Sequence, residues 1–429
     1  MSIYLMAKDI PVLKTEGGKC KVLREDLLPF NIRKQDVTLD DFYGNWMNSR
    51  AIQLSRTNSK MILNSVRVSQ SNAYAICKAC HGLSLTDMYW FKEEESDLTW
   101  KEVNLYHNPI SKAMASTALV GDVLRETGKI HTPELTTQGV TAKAWVKNEG
   151  ETWLYKIGKK ELAASEILDA LQIRHVKYEK VVSDELDRVV TPERKEMIEA
   201  LGEEVVKCKL ITDEEKSMVN FEDFQIYCEN QGLNVFQEIF SLDRRHYLEM
   251  QVADYIMNNV DRHAANWGFF MDNNTGNIVG LYPLLDHDHA FSDVEGMLSL
   301  TTEQEMNLLT AAMLGQAELQ IDLAPILKMS CPEGLSVKEW EAVKNRTVNL
   351  KEKTRIYLNI LESGYEATWT LVNEMENLKR IEGKEVTLQE VVEKYNSGVS
   401  CNEVENKIII ELLEQLSVKH AVENLEYER

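Results

Sequence analysis

Hydrophobic spacing changes character twice along these 429 residues. Near the start, the apolar run opening residues 10–16 gives way to polar positions, breaks at Gly17-Gly18 and is followed by 19–27, which predicts a small β element turning on the glycine pair. A mixed, largely helical stretch follows to about residue 125. It has predicted helices over 39–55 and 72–83, and the aromatic cluster Met88-Tyr89-Trp90-Phe91 is read as core. Around residue 130 the texture turns to strands. A hydroxyl-rich loop over 132–143 leads into strands at 144–147 and 152–157 across the turn Asn148-Glu149-Gly150-Glu151. A helix over 160–171 and strands near 175–182 and 204–211 complete that region. From about 245 onward helical spacing dominates, and Leu248, Val252, Tyr255 and Ile256 share one face. Asn258 and Asn259 end that helix, and a hairpin is predicted from strands 267–271 and 278–282 around the turn 272–277. Further helix starts are expected at Thr302, Ser336, Thr387 and Ser400, with breaks at 363–364 and 382–383. Three regions result: 1–125, of unassigned role, 126–240 and 241–429.

Composition narrows the classes. Apolar residues at 44% and charged residues at 27% describe a globular chain long enough for a sizeable core. The 48 basic and 69 acidic side chains leave a net charge of −21, which argues against direct nucleic-acid binding and against an anionic membrane surface. There is no run of 18 apolar residues and no signal-peptide pattern at the start, and the seven cysteines are odd in number and scattered. A cytoplasmic location with reduced thiols is therefore expected. Cys77-Lys78-Ala79-Cys80-His81 has the spacing of a haem c attachment. That chemistry needs export, and the same residues fit a helix with Ala73, Ala75, Ile76 and Cys80 inward, so the core reading is preferred.

The chemistry concentrates after the long helix. Asp261-Arg262-His263-Ala264-Ala265-Asn266 opens a loop there, and Asp286 follows the hairpin, which returns the chain to where it began. An acid, an amide five residues on and a second acid are parts suited to phosphoryl transfer. Asp261 would take the proton of an attacking hydroxyl, while Asn266 and Asp286 would hold the Mg²⁺ that bridges the phosphates of ATP. Lys156 lies in mid-strand among apolar residues, where an ammonium is costly unless paired. Glu166 on the following helix is its expected partner, the pair holding the α- and β-phosphates. The loop carrying Gly139 and Lys143 is either a phosphate-binding loop or a plain surface turn. A different chemistry is open to Asp286-His287-Asp288-His289 with His263: zinc or manganese binding and phosphohydrolysis. Alternation along the chain would let at most half of those side chains reach one ion.

The string Asn259-Val260-Asp261-Arg262-His263-Ala264-Ala265-Asn266, with Tyr282-Pro283-Leu284-Leu285-Asp286 after it, resembles the HipA-type serine/threonine kinases. It is also similar to the phosphatidylinositol 3- and 4-kinases, which leaves a lipid kinase as an alternative. The resemblance covers residues 130–300. It implies an α+β, bilobal protein-kinase-like fold with a β-rich small lobe over 126–240, a helical large lobe over 241–429 and an extra N-terminal α/β region. It further implies Asp261 as base, Asn266 and Asp286 as Mg²⁺ ligands, and Lys156 on the ATP phosphates with Glu166 orienting it. His263 would support the loop's shape. A protein substrate, a small antitoxin-like partner and self-phosphorylation on Thr136, Thr137 or Thr141 complete what the resemblance implies.

Overall fold

The computed structural model describes residues 2–68, 72–122, 131–291 and 302–363. The predicted starts at Thr387 and Ser400 and the break at 382–383 lie outside them. The chain divides into two units. The first, residues 1–299 and 321–347, is mixed α and β, with three small antiparallel sheets among its described residues. In the second, residues 300–320 and 348–429, the described part is the helix Thr302–Leu319 and the C-terminal portion of the helix Val337–Ser363.

Turn chemistry shapes the first sheet. β1 (Ile3–Ala7), β2 (Ile10–Glu16), β3 (Lys19–Val22) and β4 (Tyr89–Glu93) run in the order β3-β2-β1-β4. Gly17 and Gly18, at φ 59° and 77°, form the two-residue turn between β2 and β3, a left-handed conformation that side chains resist. The cluster read as core is indeed buried. Tyr89, Trp90 and Phe91 open β4, which is paired along its length with β1, and Trp90 is fully enclosed. Cys77 and Cys80 are buried around the end of the helix Ala73–Ala79, which Asn72 caps by accepting from the Tyr74 N–H at 2.9 Å. Their burial raises both thiols, as expected of core cysteines.

The second sheet frames the site. β5 (Lys143–Asn148) and β6 (Glu151–Ile157) are joined at Glu149 and Gly150, both at positive φ, and β7 (Tyr178–Lys180) and β8 (Val205–Lys209) complete the order β5-β6-β8-β7. Gly158 then releases the chain into the helix Lys160–Ala170.

The third sheet contains a strand outside the predicted set. β9 (Lys216–Asn220) pairs with β10 (Gly268–Asp272), which pairs with β11 (Ile278–Leu281) as the predicted hairpin. β9 comes so close that a Cβ at residue 268 would strike the Val219 carbonyl, so only glycine fits there. The helix Val235–Ile256 buries Leu248, Val252, Tyr255 and Ile256, the predicted face, and Asn258 at φ 46° turns the chain out of it. Ser336 and Glu339 form a reciprocal cap at the start of Val337–Ser363. The serine amide donates to the Glu339 carboxylate at 2.8 Å, and the Glu339 amide donates to the serine oxygen at 3.3 Å.

Candidate active site

A cavity of about 740 Å³ in the first unit gathers most of the residues singled out above. Its lining includes Gly139, Lys143, Lys156, Asp261, Asn266 and Asp286, together with Thr136, Thr137 and Thr141.

Cross-strand pairing sets two of these side by side. Lys143 on β5 is the direct partner of Lys156 on β6, so two ammonium groups share one face of the sheet. Both are buried, yet their surroundings differ. Lys156 donates to Glu161 Oε1 at 2.6 Å and to Asp286, and Asp288 Oδ2 lies 3.9 Å away. Burial disfavours its charge, but Asp286 and Glu161 outweigh that and lift its pKa well above the ordinary lysine value. The Lys143 ammonium makes no hydrogen bond or ion pair among the described residues. Burial dominates there and pushes it down to about 8, with the attraction of Asp286 only partly offsetting.

Glu161, not Glu166, is the partner of Lys156. The Gly158 turn folds the first helical turn back over β6, which brings Glu161 onto the ammonium and leaves its carboxylate only 2% exposed. Glu166 lies five residues further on, about 140° around the helix, and faces outward. Glu161 also accepts from the His287 backbone N–H at 3.1 Å, so it ties the helix to the segment after β11.

That segment is placed by backbone contacts. Val176 N–H donates to the Leu284 carbonyl at 2.8 Å and Leu284 N–H to the Arg174 carbonyl at 3.2 Å, delivering Asp286 to the edge of the second sheet. Asp286 sits at φ 62°, a conformation that costs a non-glycine residue about 1–3 kcal/mol and persists where the surroundings enforce it. Burial alone would raise the Asp286 and Glu161 carboxyls; Lys156 more than offsets it and holds both below the usual range. Asp288 is raised, because burial and its two acidic neighbours outweigh Lys156.

The loop of Asp261 is fixed by a residue whose role the sequence did not reveal. Arg262 grips Asp254 of the long helix through Nε and Nη2 at 2.9 Å each, donates to the Asn266 and Leu285 carbonyls at 3.0 and 2.8 Å, and meets His287 Nε2 at 3.0 Å. One guanidinium thus joins the helix, the loop and the Asp286 segment. Asp254, a 2%-exposed carboxylate on a buried face, was the available sign that a cation had to meet it. Asn266 Nδ2 donates to the Asp261 carbonyl at 2.9 Å, which fixes the amide's orientation and leaves its oxygen free to act as a ligand. His263 Nδ1 accepts from the Ala265 N–H at 3.2 Å, a loop-shaping contact.

Glu161, Asp286 and Asp288 present carboxylate oxygens within 4.8 Å of one another. Asp286 and Asp288 line the cavity together with the Asn266 amide, and with Glu161 behind them this all-oxygen donor set fits a hard cation such as Mg²⁺. The histidines of the segment take other positions: His287 is buried against Arg262 and Glu161, and the His289 side chain is about half exposed.

The loop before β5 has an anion-binding character. The backbone N–H groups of residues 138 to 142 donate to no acceptor among the described residues, and Gly139 takes φ 94°. Thr136 and Thr137 hydroxyls are committed, to the Leu83 carbonyl at 2.6 Å and the Pro133 carbonyl at 2.8 Å. Thr141 has no hydrogen-bond partner among the described residues.

No protein-family model and no curated protein matches the chain. Among solved structures it is similar to a proinflammatory kinase, CtkA, of Helicobacter pylori, at 14% identity over 49% of this chain and 90% of that one, with a TM-score of 0.30. It is also similar to a chain of the Shewanella oneidensis MR-1 toxin–antitoxin complex of HipA, HipB and operator DNA, at 14% identity over 83% of this chain and 97% of that one, with a TM-score of 0.49.

Proposed function

We propose that this chain is an ATP- and Mg²⁺-dependent phosphotransferase of bilobal kinase-like build that acts on serine or threonine hydroxyls of protein. The observation that carries the reading is the meeting, in one cavity, of Asp261, Asn266 and Asp286 with two buried lysines and a loop of unbonded amides. The loop amides, Lys143 and Lys156 face the phosphates. Asp261 orients the acceptor hydroxyl and takes its proton as the oxygen bonds to the γ-phosphorus and the bond to the β-phosphate oxygen breaks, releasing ADP. Asp286 and Asn266 would hold the Mg²⁺, with Glu161 and Asp288 close by; when bound, the ion neutralises charge on the phosphates. The gathering of carboxylates, rather than histidines, supports Mg²⁺ chemistry over a zinc or manganese phosphohydrolase.

Thr141 is the loop hydroxyl favoured for self-phosphorylation, since Thr136 and Thr137 are already bonded. The resemblance of the catalytic string, not a feature of the cavity, supports a small antitoxin-like partner. The test is incubation with Mg²⁺ and γ-labelled ATP. The wild type consumes ATP and carries label, and Asp261→Asn loses at least a hundredfold in rate, the scale of a positioned base. An Asp261→Asn variant with wild-type turnover would refute the mechanism.

A further inference from the structure

The proposed reaction leaves residues 50–57 without a part, yet they hold the phosphate loop along its length. Ile52 N–H donates to the Leu135 carbonyl and Thr57 N–H to the Val140 carbonyl, each at 2.8 Å. Gln138 Nε2 reaches back to the carbonyls of Arg50 at 2.8 Å and Ala51 at 3.2 Å. Arg56 does most: Nη1 donates to the Glu134 carbonyl at 3.3 Å and the Thr137 carbonyl at 2.8 Å, and Nη2 to the Lys143 carbonyl at 2.6 Å. Arg50 is anchored in turn by a two-pronged pair with Asp87.

Arg56 is 2% exposed and makes no ion pair among the described residues. Burial pushes its guanidinium down to about 10. A charge kept in the interior at that cost, with Nη1 and Nη2 given to the carbonyls of a single loop and Nε left without an acceptor among the described residues, is explained by what it does to the loop. In a trans peptide the carbonyl and the next N–H point opposite ways. Drawing the Thr137 carbonyl to Arg56 and the Val140 carbonyl to Thr57 turns the Gln138 and Thr141 amides away from residues 50–57. Those two residues line the cavity, and their amides are among the unbonded five. A loop with one glycine has little freedom to wrap a phosphate, so its amides must be aimed from outside.

We propose that residues 50–57 are a fixed brace that aims the amides of the 138–142 loop at the nucleotide phosphates, with Arg56 as its positioning residue. The proposal rests on the cavity's reading as a nucleotide site. It gives the N-terminal region a role in ATP affinity and none in the chemical step.

The test uses the full chain and Mg²⁺-ATP, with binding and phosphotransfer measured for wild type, Arg56→Met, Arg56→Lys and Gln138→Ala. Arg56→Met weakens ATP binding at least tenfold and raises the KM for ATP, while kcat at saturating ATP stays within about threefold. Arg56→Lys recovers part of the affinity, because one ammonium can still serve some of the carbonyls. Should Arg56→Met fail to fold, Gln138→Ala decides, with a threefold or larger loss of affinity expected. Folded Arg56→Met, or Gln138→Ala in its stead, binding ATP like the wild type would overturn the brace alone. A wild type that binds no ATP would overturn the reading of the cavity, and the brace with it.

Discussion

Replacing Lys156 by methionine tests whether the buried charge cluster is the organising feature of the site. The ammonium is 4% exposed, lies 2.6 Å from Glu161 Oε1 and also contacts Asp286, and the carboxylate oxygens of Glu161, Asp286 and Asp288 are within 4.8 Å of one another. Removing the cation takes away their closest ion-pair partner and leaves, among the described residues, only His287, 3.8 Å from Glu161, and His289, 3.9 Å from Asp288. Breaking a buried pair in this way costs about 3–5 kcal/mol, in line with a repulsion of about 3–4 kcal/mol per carboxylate pair at 4–5 Å in a medium of intermediate polarity.

The sign of the pH dependence follows. In the wild type, Lys156 holds Glu161 and Asp286 below the carboxylate range, so their stabilisation is present above the unfolded-state values and is lost as the pH falls through the folded ones. In Lys156→Met burial and mutual repulsion dominate, with the His287 contact to Glu161 and the attraction of Lys143 for Asp286 left as weaker offsets. Both carboxyls rise, the folded state binds more protons than the unfolded one, and stability increases as the pH falls from 8 to 5. Urea unfolding at those two pH values, with and without millimolar Mg²⁺, reads this directly. The expected loss is about 3–5 kcal/mol at pH 8, smaller at pH 5 and partly recovered by Mg²⁺ binding to the folded carboxylates. A variant as stable as the wild type at pH 8, with no change at pH 5, would show that Lys156 does not hold the carboxylates together.

The two glutamates of the helix after β6 should separate cleanly. Glu161→Gln lowers both stability and ATP affinity, whereas Glu166→Gln, at an outward position, stays within about 0.5 kcal/mol of wild type in urea unfolding. Lys143 is depressed to about 8 in the folded state against 10.5 for the free side chain, so below pH 8 it carries the full cost of a buried, unpaired ammonium. Lys143→Met should therefore stabilise the ATP-free protein most at pH 7 and progressively less from pH 8 to 10.5, while weakening ATP binding, as unfolding curves and titration calorimetry would show. Thr141→Val should abolish phosphate incorporation into residues 132–143, measured by mass spectrometry, while Thr136→Val and Thr137→Val leave it in place.

Local signals made much of the layout legible. The hairpin turns at 17–18 and 149–150, the buried face of the helix ending at Ile256 and the β10–β11 hairpin follow from short-range spacing and turn residues. So does the convergence of Asp261 and Asp286, since a hairpin returns the chain to its starting point. The choice between Glu161 and Glu166 was not legible, because both lie on one helix and only the Gly158 turn decides which face covers β6. The pairing of β1 with β4 and of β9 with β10 joins segments far apart in sequence, which local periodicity does not encode. Arg262 and Arg56 act on backbone carbonyls, which every residue type offers, so their partners leave no mark in the composition of the loops they hold.

Whether the cavity is a nucleotide site is read by titration calorimetry of ATP into the wild type and Lys156→Met, with and without Mg²⁺. The expected result is one ATP per chain, binding that strengthens with Mg²⁺ and a loss of at least tenfold in Lys156→Met. An absence of ATP binding by the wild type, or equal affinity in the variant and without Mg²⁺, would contradict it.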